Sequence, residues 1–204
     1  MRSFARISCV ILSAGGSGRM GKHKALLPFG DENITFLEKI VRTYSALGIS
    51  QIVVVVNQQL YDLIEINKLH LPENVSVIVN RHPEKGRFYS LQSGLKCIAD
   101  DESVFFQNVD NPFVGRAVLD QLLESRDQAG IILPAFAGKT GHPVLLSPVV
   151  CKSIVSCEDP ENRIDQYLKK FASVKVETND AKILVNINTG TDYDNEFYGD
   201  HLIT

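Results

Sequence analysis

Apolar residues cluster in short strand-like runs at positions 7–12, 52–56, 75–79, 104–109 and 131–133, and most intervals between them carry helical periodicity. Runs such as Ile52-Val53-Val54-Val55-Val56 lack polar alternation and are rich in β-branched residues. That is the pattern of strands buried on both faces, so the chain is expected to form an α/β protein with a parallel sheet covered by helices on each side. A first helix is predicted over 35–47, where Phe36, Ile40, Val41, Tyr44 and Leu47 share a face. Thr35 stands at its N-cap with Glu38 in the capping-box position, and Gly48 supplies the stop. Further helices are predicted over 90–99 and 116–125, and another is expected to open at Asp159-Pro160, with the aspartate capping and the proline in the first turn. Three more strands are read at 143–146, 174–177 and 182–185. With no internal repeat, low-complexity tract or linker, residues 1–204 read as a single domain.

Composition narrows the partners. The apolar and charged fractions, 44% and 22% of 204 residues, are those of a chain able to bury its own core. A formal charge of -3 with a pI near 6.0 gives no broad attraction to nucleic acid or to anionic membranes, so any phosphate recognition must be local. The first six residues are mixed, and the run at 7–12 is too short for a signal-peptide core or a membrane span, which reads as a cytoplasmic protein. Cys9, Cys97, Cys151 and Cys157 form no C-x-x-C pair and have no histidine at zinc-finger spacing, so they are read as reduced thiols.

Directly after the first strand comes Ser13-Ala14-Gly15-Gly16-Ser17-Gly18-Arg19-Met20-Gly21-Lys22-His23-Lys24. Glycines let backbone N–H groups turn inward around phosphate oxygens, and the cations within the loop suit an anion. An ordinary strand-to-helix turn is the plain alternative. Gly16-x-Gly18-x-x-Gly21 satisfies a dinucleotide-binding pattern. That fold, however, needs a helix opening at the loop and an acidic residue ending the second strand. Here Pro28 follows closely, and the second strand ends in Asn57-Gln58. Gly16-x-x-x-x-Gly21-Lys22 approaches a P-loop, but His23 stands where a hydroxyl should bind magnesium.

The longer segment from Leu12 to Leu27 resembles the L-x-x-G-x-S-x-R-M-G-x-x-K-x-L-L signature of nucleotidyltransferases related to the molybdenum-cofactor guanylyl- and cytidylyltransferases. The match fixes several non-glycine positions, Arg19, Met20 and Lys24 among them. The resemblance implies a three-layer α/β/α sandwich with a mostly parallel, Rossmann-like mixed sheet of the nucleotide-diphospho-sugar transferase type. It further implies that Leu12, Ala14, Gly15, Gly16, Ser17, Gly18, Arg19 and Lys24 bind the nucleotide, with Arg19 and Lys24 as the catalytic cations.

Three later segments extend the resemblance. Asp110 closes the fourth apolar run, at the ligand-binding edge of an open sheet, and Asp110-Asn111-Pro112 is similar to the family's D-x-P element, whose aspartate holds magnesium. A turn-forming or capping aspartate is the plain reading of the same position. The segment 185–193 resembles D-I-N-T-P-E-D-Y and makes Asn188 a second metal ligand, although Asn186 replaces the aspartate and Gly190-Thr191 replace Pro-Glu. The stretch 80–95 is similar to G-x-x-x-S-L-x-x-G-L, placing Ser90 and Gly94 beside the nucleotide, with Ser90 read as entering a helix. Arg81, Lys85 and Arg87 in that stretch read equally as solvated charges or as grips on substrate phosphate. Gly141-His142-Pro143-Val144 resembles an element of the cytidylyltransferase branch, which makes His142 an acceptor contact.

The resemblance thus implies a nucleoside triphosphate and a phosphorylated small molecule as substrates, Mg2+ as cofactor, and pyrophosphate as product. Ala14 and Gly141-His142-Pro143 favour CTP over GTP, with molybdopterin as the implied acceptor and sugar 1-phosphates left open. A nucleotide-binding protein without catalysis is the rival reading. Asn186 and Gly190 favour it, and intact Arg19, Lys24 and Asp110 oppose it.

Overall fold

A computed structural model describes residues 6–15, 22–159 and 163–199. Seven strands form one sheet in the order β10-β7-β9-β6-β1-β4-β5, with an eighth, β8, hydrogen-bonded to β7. In chain order the elements are β1 (Ile7–Ser13), a hairpin of β2 (Pro28–Phe29) and β3 (Glu32–Thr35), α1 (Phe36–Leu47), β4 (Gln51–Val56), α2 (Gln58–Ile66), β5 (Val75–Val79), α3 (Gly86–Leu95) and β6 (Ser103–Asn108). There follow α4 (Arg116–Glu124), β7 (Ile131–Phe136), β8 (Lys139–Thr140), β9 (Val144–Leu146), α5 (Pro148–Val155), α6 (Ile164–Leu168), β10 (Ser173–Glu177) and α7 (Gly190–Phe197). β1 pairs in parallel with β4 and β6, β4 with β5, and β10 with β7, while β9 runs antiparallel between β6 and β7.

Alternate residues of the central strands feed two cores. Cys9, Ile11, Ile52, Val54 and Phe105 face α1, α2 and α4, whereas Val10, Val53, Val55, Val104 and Phe106 face α3, α5 and α6. This is the expected three-layer α/β/α arrangement with a mostly parallel mixed sheet. A third cluster, Leu27, Phe36 and Ile187 with Phe29, Phe113, Tyr193 and Phe197, lies under the β2–β3 hairpin and α7.

Helix α1 ends as the sequence requires. Thr35 and Glu38 form the reciprocal capping box, and Gly48 takes a left-handed φ of 81° that closes the last turn. Elsewhere the structure corrects the sequence reading. Residues 182–185 form no strand: Ala181–Leu184 is a 3-10 turn, started by Asp180, whose side chain accepts from the Lys182 N–H. The buried amide of Asn111 donates to the carbonyls of Lys182, Ile183 and Val185 and holds the segment in this turn, where the Ile183 carbonyl keeps one isolated bond from the His142 N–H and no ladder forms. The helix read at 90–99 begins at Gly86, whose φ of 82° makes the entry turn that other residues rarely adopt. The helix expected at Asp159-Pro160 starts at Ile164 with Arg163 in the N-cap position, while 160–162 lie outside the described residues.

Candidate active site

The strand order reverses direction at β1. From β1 the chain steps outward through β4 to β5, then returns through α3 to β6 on the other side of β1. The crevice between the carboxyl ends of β1 and β6 is therefore the switch point at which open α/β sheets take their ligands. Leu12, Ser13, Ala14 and Gly15 enter it from β1, and Asn108, Val109 and Asp110 from β6, around a pocket of about 140 Å³. The Val109 N–H donates to the Leu12 carbonyl at 3.1 Å, holding the two strand ends together. Gly16, Ser17, Gly18 and Arg19, expected in the phosphate loop, lie outside the described residues.

After the loop, residues Lys24–Leu26 form a 3-10 turn and Pro28–Phe29 a strand, so neither the dinucleotide-binding nor the P-loop reading finds its helix. That turn aims Lys24 across the crevice. Its Nζ donates to Asn188 Oδ1 at 2.8 Å and lies 3.8 Å from Asp110 Oδ2. Three residues spaced over 164 positions thus meet at one corner, Lys24 at the mouth, Asp110 on β6's end and Asn188 just before α7.

The backbone fixes this corner before any ligand arrives. The Ile187 N–H donates to the Asp110 carbonyl at 2.8 Å. Asp192 accepts from the N–H groups of Asn188 and Thr189 at 2.9 and 2.8 Å and forms a capping box with Thr189 at the start of α7. Those backbone donors, led by Asn188, and the nearby Lys24 charge hold the Asp192 carboxyl below its ordinary pKa. Asn186, by contrast, only donates to the Leu184 carbonyl.

Asp110 Oδ1 is buried without a hydrogen-bond partner among the described residues, which leaves this oxygen available to a cation or a donor. Among the described residues no three His, Cys, Asp or Glu side chains converge. A single carboxylate oxygen with an amide oxygen is a sparse, hard-oxygen set, the kind that suits magnesium completed by water and substrate phosphate.

The opposite wall is built around β9. Its register with β6 pairs Phe106 with Val144, and two further steps put Asn108 opposite His142. Asn108 Nδ2 lies 2.9 Å from His142 Nε2, and Arg87 donates to Asn108 Oδ1 at 2.7 Å. A guanidinium can only donate, so the Asn108 oxygen must face Arg87 and its NH2 must face the ring. His142 Nε2 is then an acceptor and the ring proton sits on Nδ1, which is buried and has no protein partner. Burial, reinforced by the Arg87 charge and opposed by Asp110, pulls the His142 pKa down to about 4, so the ring is neutral at pH 7.

Next to His142 opens a cleft of about 910 Å³. Phe88, Phe106, Leu133 and Phe171 give it apolar walls; Lys85, Arg87 and Lys169 give it positive charge, while Arg163 is paired there with Asp165 at 3.1 Å. Gly141 stands where the chain crosses 183: a Cβ there would lie 2.3 Å from the Ile183 carbonyl oxygen.

Two residues occupy places other than those expected. Ser90 lines the small pocket but lies inside α3, so it offers no free helix-start N–H. Its hydroxyl donates to the Gly86 carbonyl and accepts from Asn80. Gly94 faces the sheet, where a Cβ would come within 2.6 Å of Val10 and 3.0 Å of Val55; its bareness serves helix–sheet packing and not the nucleotide. Asn57, Asn108, Asn111 and Asp192 escaped the sequence reading. The pattern Thr189-x-x-Asp192 alone carried a local signal, that of a capping box.

A switch-point crevice with a lysine facing an aspartate and an amide across its mouth is suited to holding the phosphates of a nucleotide. Residues 9–175 match the model of the MobA-like NTP transferase domain, and the chain belongs to that family. It is 28% identical over 188 residues to the molybdenum cofactor cytidylyltransferase of Escherichia coli K12, covering 92% of this chain and 93% of that protein. It is 26% identical over 200 residues, with the same coverage, to a probable molybdenum cofactor guanylyltransferase of Carboxydothermus hydrogenoformans. Among solved structures, a nucleotidyl transferase from Methanothermobacter thermautotroptrophicus superposes with a TM-score of 0.77 at 23% identity, covering 94% of this chain and 96% of that one. Among the described residues no helix is long and apolar enough to cross a membrane.

Proposed function

We propose that this nucleotidyltransferase is a magnesium-dependent cytoplasmic enzyme that moves CMP from CTP to the phosphate of molybdopterin, releasing pyrophosphate. The observation that carries the reading is the convergence of Lys24, Asp110 and Asn188 at the mouth of the nucleotide pocket, with one Asp110 oxygen left unpaired. In the reaction an acceptor phosphate oxygen forms a bond to the α-phosphorus. The bond from that phosphorus to its β-bridging oxygen breaks, and the electron pair leaves with pyrophosphate. A phosphate nucleophile is already ionised near neutral pH, so no strong general base is required. Asp110 and Asn188 would hold magnesium, which supplies charge neutralisation at the phosphates. Lys24, whose ammonium already stands at the mouth beside Asn188 and Asp110, would stabilise the charge on the departing pyrophosphate. Arg19 would assist it from the glycine loop.

The cytidylyl and guanylyl relatives lie nearly equally close, so donor choice rests on single residues. Ala14 is buried in the pocket wall, and its carbonyl accepts from Asn57 at 3.4 Å. Its identity, like Gly141-His142-Pro143, resembles the cytidylyltransferase branch, and that resemblance favours CTP. On the other wall, the large cleft joins aromatic and aliphatic side chains to Lys85, Arg87 and Lys169, with Arg163 paired to Asp165, which suits a flat heterocycle bearing phosphate. The test is pyrophosphate release from CTP, GTP, ATP and UTP with magnesium and molybdopterin, with Asp110→Ala as control. Release with CTP that the substitution abolishes supports both donor and metal site. Preferential release with GTP would overturn the donor assignment, and silence with every triphosphate would overturn the acceptor.

A further inference from the structure

Among the described residues, Arg87 is the one side chain that lines both the nucleotide pocket and the large cleft beside His142. We propose that Arg87 grips the acceptor's phosphate at this junction and presents it to the α-phosphorus of the donor, with Asn108 as the positioning residue that aims the guanidinium. The inference rests on the transferase reading above and assigns a residue to its acceptor phosphate.

Four observations converge on it. Arg87 faces no carboxylate at ion-pair distance among the described residues, and its one hydrogen bond, to Asn108, leaves most of its donors available to an anion. The side chain is exposed, so its charge is held toward the cleft and not spent in the core. Arg87 is the second residue of α3, a ten-residue helix whose N-cap, Lys85, makes no side-chain bond to the first turn. Lys85, Gly86, Arg87 and Phe88 all line the large cleft, so the positive end of the helix opens on the same space, although the Gly86 N–H itself is taken by the Pro83 carbonyl. Independently, His142 on the same cleft keeps a buried ring nitrogen without a protein partner.

The geometry separates this cation from Lys24. Lys24 belongs to the opposite lip with Asp110 and Asn188, whereas Arg87 stands where the two spaces meet. Asn108, buried between Arg87 and His142, accepts from one and donates to the other, so both acceptor-side groups share one orientation. Arg87 gives and takes no proton: its work is to bring two phosphates, which repel, to bonding distance.

The test uses the full chain with Arg87→Met, Arg87→Lys and Asn108→Leu. CTP binding with magnesium is measured by titration calorimetry without acceptor, and pyrophosphate release is followed against molybdopterin concentration. Arg87→Met is expected to lower kcat/KM for molybdopterin by about 100-fold while shifting the CTP Kd by no more than about threefold. Arg87→Lys should recover only part of the loss, since one ammonium cannot hold Asn108 and chelate a phosphate together. Asn108→Leu should raise the KM for molybdopterin by about tenfold with CTP affinity kept, a split that a merely structural residue would not give. A fall in CTP affinity as large as the fall in kcat/KM would make Arg87 a donor residue and overturn the inference. Unchanged kcat/KM in Arg87→Met, with an active wild type, would overturn it as well. A wild type that neither binds CTP nor releases pyrophosphate would instead defeat the transferase reading, and this inference with it.

Discussion

On the β1 side of the crevice the pocket wall comes from one stretch of chain, Leu12 to Gly15, with Lys24 a few residues on. On the β9 side, Arg87, Asn108, His142 and Arg163 arrive from four separate segments and are arranged by side-chain hydrogen bonds and strand register. The first wall is a property of local backbone, with strands in parallel that any sequence of this pattern would supply. The second is a property of tertiary packing around a three-residue antiparallel strand. A nucleotide's phosphates can be met by the former, while recognition of a particular acceptor has to be assembled by the latter.

The largest effect should come from the corner where the walls meet. Asp110→Ala should lower kcat by about 1000-fold and raise the magnesium concentration needed, because the carboxylate proposed to hold the cation is lost and with it the neutralisation of the phosphates. A variant retaining a tenth of the wild-type rate would remove Asp110 from the metal site. Lys24→Ala should cost about 100-fold in kcat with the melting temperature little changed, since its bonds are to ligand-facing groups and not to the core. A collapse in stability instead would show Lys24 to be a structural strut.

Gly141→Ala probes the assembled wall by itself. Its new Cβ meets the Ile183 carbonyl, so stability should fall by about 1–3 kcal/mol in urea titration, and acceptor KM should rise more than donor KM. Equal changes in both would mean that the two walls are not separable. Acidification is the mildest probe. His142 is neutral in the folded state down to about pH 4 but titrates near 6.5 when unfolded, so the unfolded chain binds the extra proton in that window. Stability should therefore fall as pH drops from 6.5 towards 4, by up to roughly 3 kcal/mol from this group. His142→Gln should flatten that slope in urea titrations at pH 7 and 4.5, and an unchanged slope would assign it to other groups.

The same contrast explains what could be read from the sequence. β5 falls on the run 75–79 because Val75, Val77, Ile78 and Val79 are β-branched and their one polar interruption, Ser76, is exposed, and α1 was marked at both ends by Thr35, Glu38 and Gly48. Helix α2 was not foreseen: it buries only Leu60 and Ile64, and its N-cap Asn57 reads equally as the end of a strand. Helix α7 buries no residue at all, leaving Thr189 and Asp192 as its sole local mark. The run 182–185 looks like a strand until Asn111, seventy positions away, claims its carbonyls. At the site, Lys24, Asp110 and Asn188 were each visible through resemblance, yet their contact is visible only in three dimensions. Asn108 could not be found in advance, since its role exists only opposite Arg87 and His142.

Strand β9 is hydrogen-bonded on both edges, to β6 and to β7, and is the one strand of the seven-strand path that runs against the rest. It enters the sheet from the acceptor side, so changes in the connection through β8, residues 137–143, reach the acceptor cleft without altering the parallel register of β1, β4 and β6. A laboratory effort to retarget this enzyme would diversify that hairpin first and leave 12–24 alone.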